Sequence, residues 1–292
     1  MSKDLERLPG DLPDTIEDAI TVTQKLGFRY LWIDRYCINQ KSEEAHTQIR
    51  QMDLIYRNSG ITIIAIAGET PSYGLPGVGR RNRTYQPRAR VGKHLLVSAL
   101  QDSWITIEGS LWSTRGWTYQ EALLFRRRLV FTDQQVYLEC YGMYCCEALD
   151  FPLQDLHTKS GQRFKAAHCG YDRIGTFPRD GVGKKAADLA VRIMEYSSKS
   201  LTYESDVLNG FSGILRPFET GAHTVRHCWG VPSVIGSTLQ NMQSAGQPDQ
   251  SHLRALTAAF CVGLSWQLRE PSTGDQGFLV GPGLVGLAMS VG

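Results

Sequence analysis

The stretch Ile61-Thr62-Ile63-Ile64-Ala65-Ile66 is the most strand-like run in this sequence of 292 residues. It is dense in β-branched side chains, which favour the extended backbone of a strand. It is also apolar along almost its whole length, and continuous apolar runs are typical of strands buried on both faces of a parallel sheet. We therefore predict a buried strand over residues 61–66.

The segments before this strand alternate between helical and extended patterns. Residues 13–27 place apolar side chains at helical spacing and end at Gly27, and residues 43–58 show a second pattern of this kind. Between them, residues 28–33 are rich in aromatic and β-branched side chains and lead directly into Asp34, which predicts another buried strand. Helix, strand, helix and strand in quick succession predict an α/β fold in which helices flank a parallel sheet.

A third structural unit is predicted after a loop that is rich in glycine and proline and runs over residues 68–87. We predict a strand over residues 95–100, a helix that begins near Trp112–Trp117, and a hairpin formed by residues 128–132 and 135–141. The loop ends in a group of basic side chains, which are Arg80, Arg81, Arg83, Arg88 and Arg90.

The C-terminal half of the chain has a different composition. Residues 151–183 are polar and Gly-rich and are predicted to form a loop, and residues 271–292 are given no secondary structure. Helical patterns lie at residues 184–199, 203–219 and 252–268. The predicted organisation is an α/β domain over residues 8–148, a linker over residues 149–183, and a mainly helical region with an irregular tail over residues 184–292.

Charge and composition exclude several classes of protein. The formal net charge is only +2, so the chain as a whole gives no electrostatic reason to bind nucleic acid or an anionic membrane. No run approaches the roughly 18–20 consecutive apolar residues of a membrane span, and Met1–Arg7 lacks the apolar core of a signal peptide. The seven cysteines show no repeated spacing, which favours reduced thiols and a cytoplasmic location.

Two local groups of residues are assigned structural roles. Cys140, Cys145 and Cys146 lack the paired, repeated spacing of a structural zinc site, so we predict no metal. The basic run Arg126-Arg127-Arg128 lies between apolar residues and is interpreted as a solvated turn.

Four segments, taken together and in order, resemble the fungal heterokaryon incompatibility (HET) family. Residues 12–20, Leu-Pro-Asp-Thr-Ile-Glu-Asp-Ala-Ile, are similar to its first helix. Residues 30–40 contain the pattern L-W-I-D-x-x-C-I-x-Q at every specified position. Residues 52–59 resemble M-x-x-I-Y-x-x-A with serine in the last place, and Arg115-Gly116-Trp117-Thr118-Tyr119-Gln120-Glu121 resembles the family segment R-G-W-T-x-Q-E.

The resemblance implies a protein of nonself recognition and programmed cell death signalling, which associates with itself or with other proteins. The HET core is similar to TIR domains, so the implied fold is a flavodoxin-like parallel sheet. Family members usually begin with a strand close to Y-x-A-L-S-Y-x-W-G, and we find no such strand before Leu8. We therefore expect a sheet without its first strand, which would leave unpaired backbone groups on the neighbouring strands.

The similarity to TIR enzymes also implies a candidate site for NAD as a substrate, with no bound cofactor. Trp117 and Glu121 are separated by one helical turn, so both side chains lie on one face of a helix. An ionised carboxylate would stabilise the ribosyl cation that forms when nicotinamide leaves. We therefore assign Glu121 as the candidate catalytic residue and Trp117, Asp34, Arg35 and Cys37 as candidate substrate-binding residues, and we expect Glu121 to stay ionised near a helix N-terminus.

Several of these residues also have a structural interpretation, and Asp34 is compatible with the cap of a loop. Trp117 is equally compatible with a core position, Glu121 with an ion pair to Arg115, Arg126 or Arg127, and Cys37 with a small buried side chain. Three functions therefore remain open: a signalling domain that binds proteins, an NAD glycohydrolase that uses Glu121, and an inactive truncated fragment.

Overall fold

The computed structural model describes residues 8–39, 42–150, 176–178, 181–219, 225–228, 231–234 and 287–289. The chain divides into two compact units. The first unit comprises Met1–Gly181 together with Gly281–Gly292, and the second comprises Val182–Val280. No helix among the described residues combines the length and the apolar character that crossing a membrane requires.

The first unit contains short helices and a larger sheet. Its helices are α1 (Asp14–Lys25), α2 (Asp34–Cys37), α3 (Ala45–Arg50), α4 (Met52–Asn58), α5 (Ser103–Glu108), α6 (Leu111–Thr114) and α7 (Gly116–Leu124). Its strands are β1 (Trp32–Ile33), β2 (Ile61–Ala65), β3 (Arg88–Val91), β4 (His94–Val97), β5 (Arg127–Phe131), β6 (Val136–Cys140), β7 (Tyr144–Cys146) and β10 (Leu287–Met289). Strands β8 (Val225–Cys228) and β9 (Val231–Val234) belong to the second unit.

The α/β class predicted from the sequence is confirmed, and the sheet has mixed strand directions. Its order is β1-β10-β2-β5-β6-β7. Strands β2 and β5 run parallel, whereas β5–β6 and β6–β7 pair antiparallel. The expectation of a parallel sheet therefore holds for one strand pair, because β5, β6 and β7 are joined by short turns and such turns produce antiparallel neighbours.

Apolar side chains cover both faces of strand β2, as its continuous apolar run predicts. Ile63 is fully buried in a cluster with residues of α1, and Ile64 is buried in a second cluster on the opposite face. That second cluster includes Ile107 of α5 and Trp112 of α6. Helices therefore pack on both faces of the sheet, and the core lies on either side of β2.

A strand from the end of the chain lies where the sequence led us to expect a gap. Strand β10 pairs antiparallel with β1 on one side and with β2 on the other. Leu287 lies opposite both Ile33 and Ile63. The prediction that residues 271–292 have no secondary structure is therefore wrong for residues 287–289, because their strand pairing depends on residues more than two hundred positions away.

The strand predicted over residues 95–100 forms a separate hairpin instead of joining the sheet. Strands β3 and β4 make an antiparallel two-stranded sheet of their own. They are joined by a two-residue turn in which Gly92 has a φ of +59°, a backbone conformation that suits glycine. The local turn pairs β4 with β3, so the basic residues Arg88 and Arg90 lie in a strand and not in a loop.

Three other segments differ in detail from their sequence patterns. The strand predicted over residues 28–33 is only two residues long, and Asp34 starts the one-turn helix α2. The helix predicted over residues 43–58 is divided at Gln51 into α3 and α4. The hairpin predicted after residue 128 is confirmed as β5 and β6.

The interpretation of Arg126-Arg127-Arg128 as a solvated turn is wrong for Arg128, which is fully buried in β5. Its guanidinium donates hydrogen bonds to the backbone oxygen of Ala122 and lies 4.4 Å from the centroid of the Phe177 ring. Strand pairing also places Arg128 directly opposite the buried Glu139. Alternation along the strand directs Arg128 inward, and these neighbours compensate its charge.

The second unit contains helix α8 (Ala186–Ser197), helix α9 (Asn209–Glu219) and the hairpin of β8 (Val225–Cys228) and β9 (Val231–Val234). The helix predicted over residues 184–199 is confirmed as α8. The prediction over residues 203–219 is met by a short 3₁₀ turn at Glu204–Asp206 followed by α9. The helix predicted over residues 252–268 and most of the loop predicted over residues 151–183 lie outside the described residues.

Candidate functional site

Helix α7 carries the two residues that the sequence singled out, Trp117 and Glu121. The helix begins after Arg115, whose backbone is extended. The hydroxyl of Thr118 donates a hydrogen bond of 2.9 Å to the backbone oxygen of Arg115 and fixes the first turn. Thr118 and Glu121 are buried, whereas Trp117 is half-buried. Gln120 is buried as well, so three buried positions of α7 carry polar side chains.

Glu121 is enclosed by helix α4. The hydroxyl of Tyr56 donates a hydrogen bond of 3.3 Å to Oε1 of Glu121. Tyr56 is itself held in place by Phe125, whose ring centroid lies 5.0 Å away in an edge-to-face arrangement. The second oxygen, Oε2, is buried and accepts no hydrogen bond from the described part of the chain. One carboxyl oxygen of Glu121 therefore accepts a hydrogen bond from Tyr56, and the other accepts none from the described residues.

Two charged residues from other segments act on this carboxyl group. Asp34 lies directly after β1, where Arg35 donates a backbone hydrogen bond of 2.6 Å to its Oδ1. Burial raises the pKa of Asp34, and the charges of Arg115 and Arg35 lower it in part. Asp34 and Arg115 both also influence Glu121. Residues 34, 56, 115 and 121 therefore form one electrostatic cluster, which we call the acid cluster.

Burial decides the protonation of Glu121. Desolvation and the nearby charge of Asp34 raise the pKa of Glu121 to about 8, against the smaller lowering effects of Arg115 and the Tyr56 hydroxyl. The expectation that Glu121 stays ionised is therefore wrong for this structure. Glu121 lies beyond the first turn of α7, so the helix N-terminus gives it little stabilisation, and removal from water penalises its charged form.

The remaining predicted residues lie near the surface. Arg35 is exposed, with its guanidinium 5.9 Å from the ring of Tyr36. Cys37 is an exposed free thiol whose Sγ accepts the backbone N–H of Ile33 at 3.4 Å, so it is not a small buried side chain. The structure thus couples Asp34 to Glu121 and places Arg35 and Cys37 in the exposed helix that follows Asp34.

Tyr56 is the member of the acid cluster that sequence reasoning did not assign to a site. The available signal was its position one turn after Met52 on the buried face of α4, in a segment that had been used only as a family marker. Arg115 was considered as an ion-pair partner of Glu121, and the electrostatic influence of Arg115 on that residue agrees with this alternative.

A surface cleft of about 250 Å³ lies elsewhere in the first unit. It is lined by Asp14, Glu17, Asp18, Thr21, Tyr73, Gly74, Gly79, Arg80 and Arg81. None of the residues assigned from the sequence lines it. No group of His, Cys, Asp and Glu side chains suited to a metal ion occurs within the described ranges.

A family model matches the part of the chain that contains the acid cluster. The model of the family described as "Heterokaryon incompatibility protein (HET)" matches residues 2–121. No curated protein and no solved structure matches the chain. All four members of the acid cluster lie within the matched residues, so residues 2–121 of this chain are similar to the heterokaryon incompatibility (HET) family over the part that contains the cluster.

Proposed function

We propose that this chain acts in nonself recognition and programmed cell death signalling in a fungus, as a cytoplasmic protein that works by association of protein chains. The match of residues 2–121 to the HET family model supports the biological setting. The observation that carries association is a continuous exposed segment, residues 87–99, which we call the arm.

The arm exposes several large apolar side chains close together in the sequence. It contains the β3–β4 hairpin, and Val91, Leu95, Leu96 and Val97 are each between 51% and 59% exposed. Val91 and Leu96 share one face of the hairpin and Leu95 and Val97 the other, and exposed apolar surface can mark a site of interaction. An isolated two-stranded hairpin is also only marginally stable in water, so a binding partner would stabilise it. Both considerations favour a protein that functions in an assembly.

The proposal is tested by inducible expression of the full chain in a fungal host. We expect a loss of viable colonies after induction, because an assembled signalling domain would act without its natural trigger at high concentration. The variant Ile63→Asp places a charge at a fully buried position and unfolds the core, so it should be harmless at the same protein level. Unimpaired growth with the native sequence, or equal killing by both, contradicts the proposal.

A second candidate function is hydrolysis of NAD at the acid cluster. The specific observation is that Glu121, near Asp34, has a buried oxygen to which no described residue donates a hydrogen bond. In the reaction the bond between the ribose C1′ and the nicotinamide nitrogen breaks, and its electron pair leaves with neutral nicotinamide. Water then adds to C1′ and releases a proton. Ionised Glu121 would stabilise the ribosyl cation between these events.

The raised pKa of Glu121 makes this candidate distinguishable by its pH dependence. Because the carboxylate is the active form and its pKa is raised to about 8, the rate of nicotinamide release should rise with pH and level off above about 8. Glu121→Gln should abolish release at every pH, whereas Glu108→Gln at an exposed position should leave it unchanged. Release that survives Glu121→Gln would exclude this role for the residue.

A further inference from the structure

The arm is asymmetric, because its two strands differ in charge. Strand β3 reads Arg-Ala-Arg-Val, whereas β4 reads His-Leu-Leu-Val and carries neither lysine nor arginine. Charged side chains on an edge strand oppose pairing with another strand, and their absence permits it. The outer edge of β4 is thus the open edge of the hairpin.

The hydrogen-bonding pattern of the hairpin identifies which backbone groups face this edge. The backbone N–H of Ser98 donates to the oxygen of Pro87 at 2.9 Å. Hydrogen-bonded and non-hydrogen-bonded pairs alternate along an antiparallel ladder. The pair Ala89–Leu96 is therefore hydrogen-bonded, while Leu95 and Val97 belong to non-hydrogen-bonded pairs. The N–H and C=O groups of Leu95 and Val97 consequently point away from β3.

We propose that the arm is a self-association surface, in which β4 pairs antiparallel with β4 of a second copy of this chain about a two-fold axis at Leu96. This register places Leu95 of each copy opposite Val97 of the other, so that outward-facing backbone groups meet. A register with the axis between two residues would oppose outward-facing and inward-facing groups and is excluded. The two Leu96 side chains then lie directly opposite each other.

Charge selects β4 as the pairing strand, and the apolar β4 of a second copy matches it. From Thr70 to Gln101 the sequence contains six lysines and arginines and no acidic residue. Pairing through β3 would set arginines of the two copies against each other, which is unfavourable. Pairing through β4 places Arg88 and Arg90 of both copies on the outermost strands and brings only apolar side chains and His94 to the centre. The partner surface that matches β4 is therefore itself apolar and uncharged.

Self-association through the arm rests on the proposed function and specifies the partner of the arm. The first test measures the oligomeric state of the full chain by sedimentation over a range of concentrations. We expect a monomer–dimer equilibrium in the native protein. Leu96→Lys places two ammonium groups opposite each other and should raise the dimer dissociation constant about tenfold or more.

Val91→Lys is the matched control, because it adds the same charge on the same face of the hairpin but on strand β3. It should change the dissociation constant by less than about twofold, since the charge lies away from the pairing edge. A native protein that remains a monomer at its highest soluble concentration overturns the proposal, and so does equal weakening by both lysine variants.

Cross-linking tests the register directly. Cα atoms of non-hydrogen-bonded antiparallel pairs lie about 4.5 Å apart, which is within disulfide range. Leu96→Cys should therefore give a disulfide-linked dimer on mild oxidation, beyond any seen with the native cysteines, and Val91→Cys should not. Equal cross-linking by the two variants, or none by Leu96→Cys, contradicts the register.

An anionic membrane is the competing partner for a basic, apolar arm. Vesicles that contain phosphatidylserine distinguish the two, because Leu96→Lys would strengthen vesicle binding while it weakens the dimer. Vesicle binding that rises with Leu96→Lys, in a protein that does not self-associate, replaces the proposal with a membrane surface. Viability after induction and nicotinamide release are measured separately from dimerisation, so a monomeric protein that still kills cells overturns the self-association and leaves the proposed function standing.

Discussion

At the scale of single residues, the acid cluster shows how the surroundings decide the chemistry of a side chain. Helical spacing placed Trp117 and Glu121 on one face of α7, yet Trp117 is half-buried and Glu121 is enclosed. The difference comes from α4, which brings Tyr56 against Glu121. Spacing within one helix contains no information about the helix that covers it, so the raised pKa of Glu121 could not be predicted.

The raised pKa of Glu121 gives a defined dependence of stability on pH. In the unfolded chain the pKa is near its ordinary value of 4.5, and in the folded protein it is about 8. The folded state therefore binds one more proton between these values, so the free energy of unfolding falls as pH rises from about 4.5 to about 8. Below about pH 4.5, the stabilisation that comes from the raised pKa of Glu121 is fully present.

Glu121→Gln removes this titration and provides the measurement. Its free energy of unfolding, relative to the native protein, should rise across the same window by a few kcal/mol, since one pKa unit corresponds to about 1.4 kcal/mol. Chemical denaturation at three pH values between 5 and 8 measures the difference. A difference that does not change with pH would show that Glu121 titrates near its ordinary pKa.

At the scale of elements, local patterns predicted those segments whose structure depends on local sequence. Helix α1, strand β2 and the β5–β6 hairpin agree with their periodicity and turn residues. The strand predicted over residues 95–100 overlaps β4 at residues 95–97 only and pairs with β3 instead of joining the larger sheet, because its partner depends on the turn at Gly92. The division of residues 43–58 at Gln51 has no evident signal in the pattern of apolar residues.

At the scale of the whole molecule, a net charge of +2 conceals strong local differences. The arm and its flanking residues form a basic region without acidic residues, and it supplies both strands of an exposed hairpin. The sum over the chain indicated no preference for anionic partners. In the structure these basic residues lie in the same hairpin as exposed apolar ones. The net charge of the chain therefore does not indicate what the arm binds.

This charge distribution predicts the effect of salt on self-association. Two basic arms repel each other, so raising the salt concentration from about 50 mM to about 500 mM should screen the repulsion and strengthen the dimer. Binding to nucleic acid or to anionic lipid would weaken over the same range. Sedimentation of the native protein in both buffers measures the direction, and a dimer that dissociates at high salt contradicts pairing of like-charged arms.

The sequence by itself determined the HET resemblance, the α/β class and the positions of most elements, because helical and strand periodicity depend on neighbouring residues. It also singled out Glu121 and Asp34 as candidates, although not their electrostatic coupling. Tertiary structure alone decided that β10 lies between β1 and β2, that Arg128 is buried opposite Glu139, and that the pKa of Glu121 is raised. These features arise from contacts between segments far apart in the chain, where the balance of burial and charge depends on packing that no local pattern contains.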